Sequence, residues 1–209
     1  MQYNFIAVEG NIGSGKTTLA KRLSQQLNGR LVLEEFADNP FLSKFYQNPD
    51  QYAFPVELFF MAERFKQLEN ILQAQDLFHQ VTVSDYFFTK CLLFAKANLQ
   101  DDEFLLYQKL FDVMAPQLVK PDVIIFLHCP LEKLQENIQK RGRSFEQNIS
   151  PDYLLTIQQT YNSYFKQHAI KMIKIDASKA DFLSNDRHLE IVLDALNADE
   201  LPEEILSLP

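Results

Sequence analysis

The run Gly10-Asn11-Ile12-Gly13-Ser14-Gly15-Lys16-Thr17 satisfies the pattern G-x(4)-G-K-[ST]. It follows a short apolar segment, Phe5–Glu9, and opens a stretch of helical period, which is the context this pattern requires. The glycines let successive backbone N–H groups turn inward around an anion, and the positive end of the following helix adds to the attraction. Lys16 is placed to reach the β- and γ-phosphates of a nucleotide, the Thr17 hydroxyl to ligate Mg²⁺, and Thr18 to continue the cradle. The ligand class this implies is a nucleoside triphosphate with magnesium.

A phosphate loop needs a sheet and helices to hold it. Strand candidates are Phe5–Glu9, Leu31–Glu35, Val81–Asp85, Asp122–His128 and Ile170–Asp176. Between them lie stripes at three- and four-residue spacing. These are Leu19, Leu23, Leu27; Leu58, Met61, Phe65, Leu68, Leu72; Leu131, Leu134, Ile138; and Tyr153, Ile157, Tyr161, Tyr164. Strands alternating with helices predict an α/β fold of three layers, α/β/α, with a five-stranded parallel sheet covered on both faces. Near-continuous apolar strands such as VIIFL agree with burial on both sides. In such sheets ligands sit beyond the carboxyl ends of the strands. Those ends are Glu9, Glu34–Glu35, Ser84–Asp85, His128 and Asp176, and all but His128 carry a carboxylate. With no repeat, low-complexity tract or linker, residues 1–209 read as one domain.

Composition narrows the partners. The formal charge of −8 discourages nonspecific binding to nucleic acid or to an anionic membrane, so a bound anion needs a local cationic site. No apolar run approaches membrane-spanning length. The two cysteines, Cys91 and Cys129, show no CxxC or metal spacing, which predicts buried free thiols in a reducing cytoplasm. The N-terminus enters the fold within a few residues, leaving no room for a signal peptide. The 18 Phe and 8 Tyr, mostly core, include enough aromatic surface to line a cavity.

Three segments name an acceptor. GNIGSGKTT, LEEFADNPFLSKFYQNPDQYAF from Leu33, and KRGRSFEQNISPDYL from Lys140 resemble the deoxynucleoside kinase family, especially bacterial deoxyadenosine/deoxyguanosine kinases. The resemblance spans nearly the whole chain. It implies a helical lid over the phosphates and transfer of the ATP γ-phosphate to the 5′-hydroxyl of a deoxynucleoside, in nucleotide salvage. Carried over by position, Glu34 matches the base that takes the 5′-hydroxyl proton. A carboxylate at a strand end beside the phosphate loop is chemically suited to that. Tyr46 and Glu146 match the two groups that hold the sugar 3′-hydroxyl, and Arg141 and Arg143 match lid arginines that stabilise spread charge in transfer. Basic residues before Gly142 also describe an ordinary helix C-terminus. Asp176 to Phe182 resembles the loop that wraps the adenine of ATP.

The chain departs from the family in two places. The family carries an acid followed by arginine at the end of the third strand, whereas this chain reads Val83-Ser84-Asp85-Tyr86. Alignment on the downstream LLFA places Ser84 at the acid; a shift of one residue makes Asp85 the acid and the second magnesium ligand beside Thr17. In either register the arginine is missing, and Arg64 is the candidate to supply its charge. The family's base-reading glutamine falls at Glu57 and its partner aspartate at Lys90. The two new charges either pair with each other or contact a different base. Glu57, Met61 and Arg64 share one helical face at i, i+4 and i+7, which favours a lined pocket.

Two other readings compete with a deoxynucleoside kinase: a thymidylate-type monophosphate kinase, and a nucleotide-binding module without catalysis. The first needs a cationic acceptor site, and the second is suggested by the missing arginine. The resemblance also implies a homodimer, with Leu58–Leu72 and the Phe94–Phe111 region as apolar faces.

Overall fold

The structure, a computed structural model, describes residues 2–35, 39–73 and 79–209, the side chains of 71–73 excepted. Leu72 of the predicted stripe and Phe36 to Asp38 of the resembling segment therefore lie outside the description. A parallel sheet is built from β1 (Phe5–Gly10), β2 (Arg30–Val32), β3 (Thr82–Ser84), β4 (Val123–His128), β5 (Met172–Asp176) and β6 (Leu206–Ser207). Its order is β2-β3-β1-β4-β5-β6. The five predicted strands are all present with shifted ends, β1 running one residue further to Gly10 and β2 stopping at Val32, and β6 is an addition to the expected sheet. It is two residues long, too short to show a period, and pairs with β5 through Ile175 opposite Leu206.

The helices are α1 (Lys16–Gln26), α2 (Leu42–Gln47), α3 (Pro49–Gln73), α4 (Lys90–Asn98), α5 (Asp101–Met114), α6 (Leu131–Arg141), α7 (Pro151–Gln167) and α8 (Asp186–Asn197). The central strands β1 and β4 are buried almost throughout, as their continuous apolar runs require. On one face Ile6, Val8, Ile125 and Leu127 pack with Leu19 and Leu23 of α1, Leu134 and Ile138 of α6, and Leu189 and Val192 of α8. On the other, Ala7, Ile124 and Phe126 meet Ile157 and Tyr161 of α7. Met61 and Leu68 of α3 join a third cluster with Tyr86, Tyr107 and Phe111. Leu58, expected in the core stripe of α3, lies instead on its outer side, 37% exposed. The carboxyl ends of β1 to β4 and the N-termini of α1 and α4 thus meet along one edge of the sheet.

Candidate active site

The loop between β1 and α1 is shaped for an anion. Gly15 caps α1 at φ 95° with no side-chain cap, so the first-turn N–H groups are open to a ligand. Gly13, at φ +84°, lies against α6, where a Cβ would meet the Leu134 carbonyl oxygen at 2.8 Å. The buried Ser14 Oγ has no hydrogen-bond partner, a polar atom set into the cradle and awaiting one. Lys16 Nζ donates to the Asn11 carbonyl at 2.7 Å, and burial lowers its pKa to about 8. A cavity of about 410 Å³ opens over Gly13 to Thr18 and reaches Asn137, Lys140, Arg141 and Phe182. Asn11 donates from Nδ2 to the Leu154 carbonyl at 2.7 Å and braces the loop against α7. Ile12 faces the neighbouring cavity instead.

Thr17 Oγ1 donates to Asp85 Oδ2 at 2.6 Å, and Asp85 Oδ1 accepts from the Glu34 backbone N–H at 2.7 Å. Asp85 therefore stands beside the phosphate loop, where an acid is near Thr17. Tyr86 turns into the core, its hydroxyl donating to Gln67 at 2.7 Å, and supplies no charge.

Positive charge arrives from two helices. Arg64 of α3 donates through Nε to Glu34 Oε1 at 2.8 Å, and Lys90 of α4 donates to Glu34 Oε2 at 2.6 Å. Both cations are almost wholly buried. Burial alone would raise the Glu34 pKa, but Lys90 and then Arg64 outweigh it and hold the carboxyl well below its ordinary value. Arg64 Nη1 also donates to Cys91 Sγ at 3.2 Å, which fixes the guanidinium.

Glu57 and Lys90 do not pair. Lys90 has the reach to bind Glu34, and Glu57 Oε1 accepts instead from Asn98 Nδ2 at 2.6 Å. Glu57, Met61 and Arg64 do share one buried face of α3. Of these, Glu57 and Arg64 line a cavity together with Glu34, Tyr46, Lys90 and Glu146. Its volume is about 80 Å³, below the roughly 300–1,000 Å³ of small-molecule pockets. Tyr46 stacks on Phe145 at 6.3 Å between centroids, which joins α2 to the lid.

At the lid, Gly142 ends α6 in a left-handed conformation and Lys140 and Arg141 occupy its last turn, so the helix-terminus reading is correct. The arginines also enter the site. Arg141 and Arg143 both bond to the buried Glu146, Arg143 at 3.1 Å, and Arg143 lines both cavities. Asn98, Tyr153 and Asn137 were not read from sequence. A lone Asn or Tyr in an apolar helical run carries no motif, and only the fold brings Asn98 to Glu57.

Comparison with known proteins agrees with this geometry. A model of the deoxynucleoside kinase family matches residues 6–199. The chain belongs to the deoxynucleoside kinase family. Among curated members it is 36% identical over 191 residues to the deoxyguanosine kinase of Bacillus subtilis (strain 168), covering 89% of this chain and 92% of that protein. It is 31% identical to the deoxyadenosine/deoxycytidine kinase of the same strain, over 92% of this chain and 91% of that one. In three dimensions this family member resembles deoxyadenosine kinase from M. mycoides solved with bound dATP: TM-score 0.81, 22% identity, 93% of this chain and 100% of that one. That likeness confirms the α/β fold.

Proposed function

We propose that this protein transfers the γ-phosphate of ATP to the 5′-hydroxyl of a purine deoxynucleoside, with Mg²⁺, in cytoplasmic nucleotide salvage. The observation that carries this reading is the continuous link Thr17–Asp85–Glu34, which ties the phosphate loop to a carboxylate at the mouth of the acceptor cavity. Glu34 takes the proton of the attacking hydroxyl, while Arg64 and Lys90 keep it ionised and aimed. These two cations stand in for the missing third-strand arginine. Lys16, Arg141 and Arg143 stabilise the charge that spreads over the phosphoryl group. Tyr46 and Glu146 hold the sugar, and Ala177 to Phe182 flanks the ATP adenine.

The residues fit a nucleotide-bound Mg²⁺. Thr17 and Asp85 are the side chains that would hold it, and the orphaned Ser14 Oγ suits a phosphate. Among the described residues no group of three or more His, Cys, Asp or Glu forms a metal cage, in keeping with an ion carried largely by phosphate oxygens. When bound, the ion would supply positive charge to the phosphate being transferred.

A monophosphate acceptor is disfavoured. Arg64, Lys90 and Arg143 of the acceptor cavity are each engaged by a carboxylate, Glu34 or Glu146, which leaves a site suited to a neutral nucleoside. The protein is further proposed to act as a homodimer through α5, where Leu105, Leu106, Leu110 and Val113 are exposed.

ADP release with ATP, Mg²⁺ and each of the four deoxynucleosides tests this reading, with thymidine monophosphate as control. Turnover with a purine deoxynucleoside and none with the monophosphate is expected. ATP binding with no turnover on any of them would favour a noncatalytic module.

A further inference from the structure

The two oxygens of the Glu57 carboxyl are not equivalent. Oε1 accepts from Asn98 Nδ2 at 2.6 Å, and Oε2 is buried with no hydrogen-bond partner. The residue is 2% exposed yet lines the acceptor cavity beside Phe60, Phe94 and Arg64. A buried acceptor left unpaired costs free energy in the empty protein, and this one belongs to a residue that lines the acceptor cavity.

The surroundings leave this acceptor to a ligand. On its own helix Glu57 faces Arg64, the charge that acts on it most strongly, followed by Glu34 at the end of β2 and Lys90 on α4. Arg64 and Lys90 are committed to Glu34. The Tyr107 hydroxyl of α5 donates to the Glu57 backbone carbonyl at 3.2 Å rather than to its carboxyl. Tyr46 of α2, Cys91 of α4 and Tyr153 of α7 are further titratable groups near it.

We propose that Glu57 selects guanine over adenine in the acceptor cavity, by accepting hydrogen bonds from the ring N1–H and the 2-amino group. The proposal rests on the deoxynucleoside reading of that cavity. An ionised carboxylate offers acceptors only. Guanine presents two adjacent donors on its pairing edge, which match Oε2 and the remaining lone pair of Oε1. Adenine presents one amino donor beside a bare ring nitrogen, whose lone pair would face a carboxylate lone pair. Cytosine has the same mismatched pattern. Hypoxanthine keeps N1–H but lacks the 2-amino group, so it satisfies half of the site. Guanine O6 needs a donor, and the Arg64 guanidinium, the cation nearest in effect to Glu57, has N–H groups beyond those it gives Glu34 and Cys91.

Burial pushes the Glu57 pKa up to about 7, so assays at pH 8 keep it ionised. At that pH kcat/KM is measured for deoxyguanosine, deoxyinosine and deoxyadenosine, with wild type and Glu57→Gln. Wild type should favour deoxyguanosine over deoxyadenosine by roughly 10- to 100-fold, the discrimination a good paired contact provides, with deoxyinosine between. Glu57→Gln, which places an N–H₂ donor beside a carbonyl, should bring that ratio near one or reverse it. Equal wild-type use of the two purines, or an unchanged ratio in Glu57→Gln, would overturn the proposal. Calorimetric binding of the same nucleosides reads the ratio independently of turnover. Selective guanine binding without turnover would fail the kinase reading and keep this one, whereas turnover without the preference would do the reverse.

Discussion

Burial without a bonded countercharge sets the behaviour of Glu57. Its carboxyl moves from the ordinary value of 4.5 to about 7 because desolvation outweighs Arg64 and the Asn98 hydrogen bond. Between those two values the folded state holds a proton that the unfolded state has released, so this residue lowers stability as pH rises, fully so above pH 7. Glu57→Gln removes the ionisation. Its stability advantage over wild type should therefore grow between pH 5 and pH 8, by on the order of 3 kcal/mol at most. Thermal melts at the two pH values check this, and an equal difference at both would contradict it. The same residue shows the limit of sequence reading. The shared face of Glu57, Met61 and Arg64 was legible from 3.6-residue spacing. The destination of Lys90 was not, because a flexible side chain at the start of α4 can reach either carboxylate, and only distances decide. The neighbour of Asp85 was likewise left open, and only the fold brings it to the Thr17 hydroxyl.

At the scale of elements, the phosphate loop depends on how closely β1, α1 and α6 approach. Gly13 sits at a positive φ, and a Cβ there would meet the Leu134 carbonyl at 2.8 Å and Ile138 Cγ1 at 3.0 Å. Gly13→Ala should push the loop away from the lid helix and weaken binding of an ATP analogue by at least about tenfold, given a strain on the order of 1–3 kcal/mol. Calorimetric titration reads this, and unaltered affinity would show that the loop adapts. The long, regular elements were the legible ones: β1 and β4 from their apolar runs, α1, α6 and α7 from their stripes. The two-residue β6 was not, since its pairing comes from the preceding fold and leaves no local pattern. The lid was recognised from the KRGRSFEQ segment, but the convergence of Arg141 and Arg143 on Glu146 is a tertiary fact.

For the whole molecule, the net charge of −8 and the cationic cavities imply a strongly local field: anionic phosphates are drawn to Lys16, Lys140 and the lid, not to the surface at large. The outer face of α5 is the apolar counterpart. Leu105 is 58% exposed, Leu106 52% and Val113 69%, an arrangement suited to a second copy of the chain. Leu106→Glu should convert a dimer to monomer in sedimentation velocity. A wild-type protein that sediments as a monomer at micromolar concentration would refute the dimer.

The catalytic account centres on Glu34, and Glu34→Gln tests it most directly. Wild type and variant are compared for kcat with ATP and Mg²⁺ on the best deoxynucleoside, alongside calorimetric binding of an ATP analogue and of that nucleoside. The analogue affinity reports that the variant, with Arg64 and Lys90 deprived of their countercharge, is folded. The account predicts kcat lower by about 10²–10⁴, the worth of a positioned general base, with both affinities within a few-fold of wild type. A folded variant that keeps kcat within a few-fold would show that Glu34 does not take the proton.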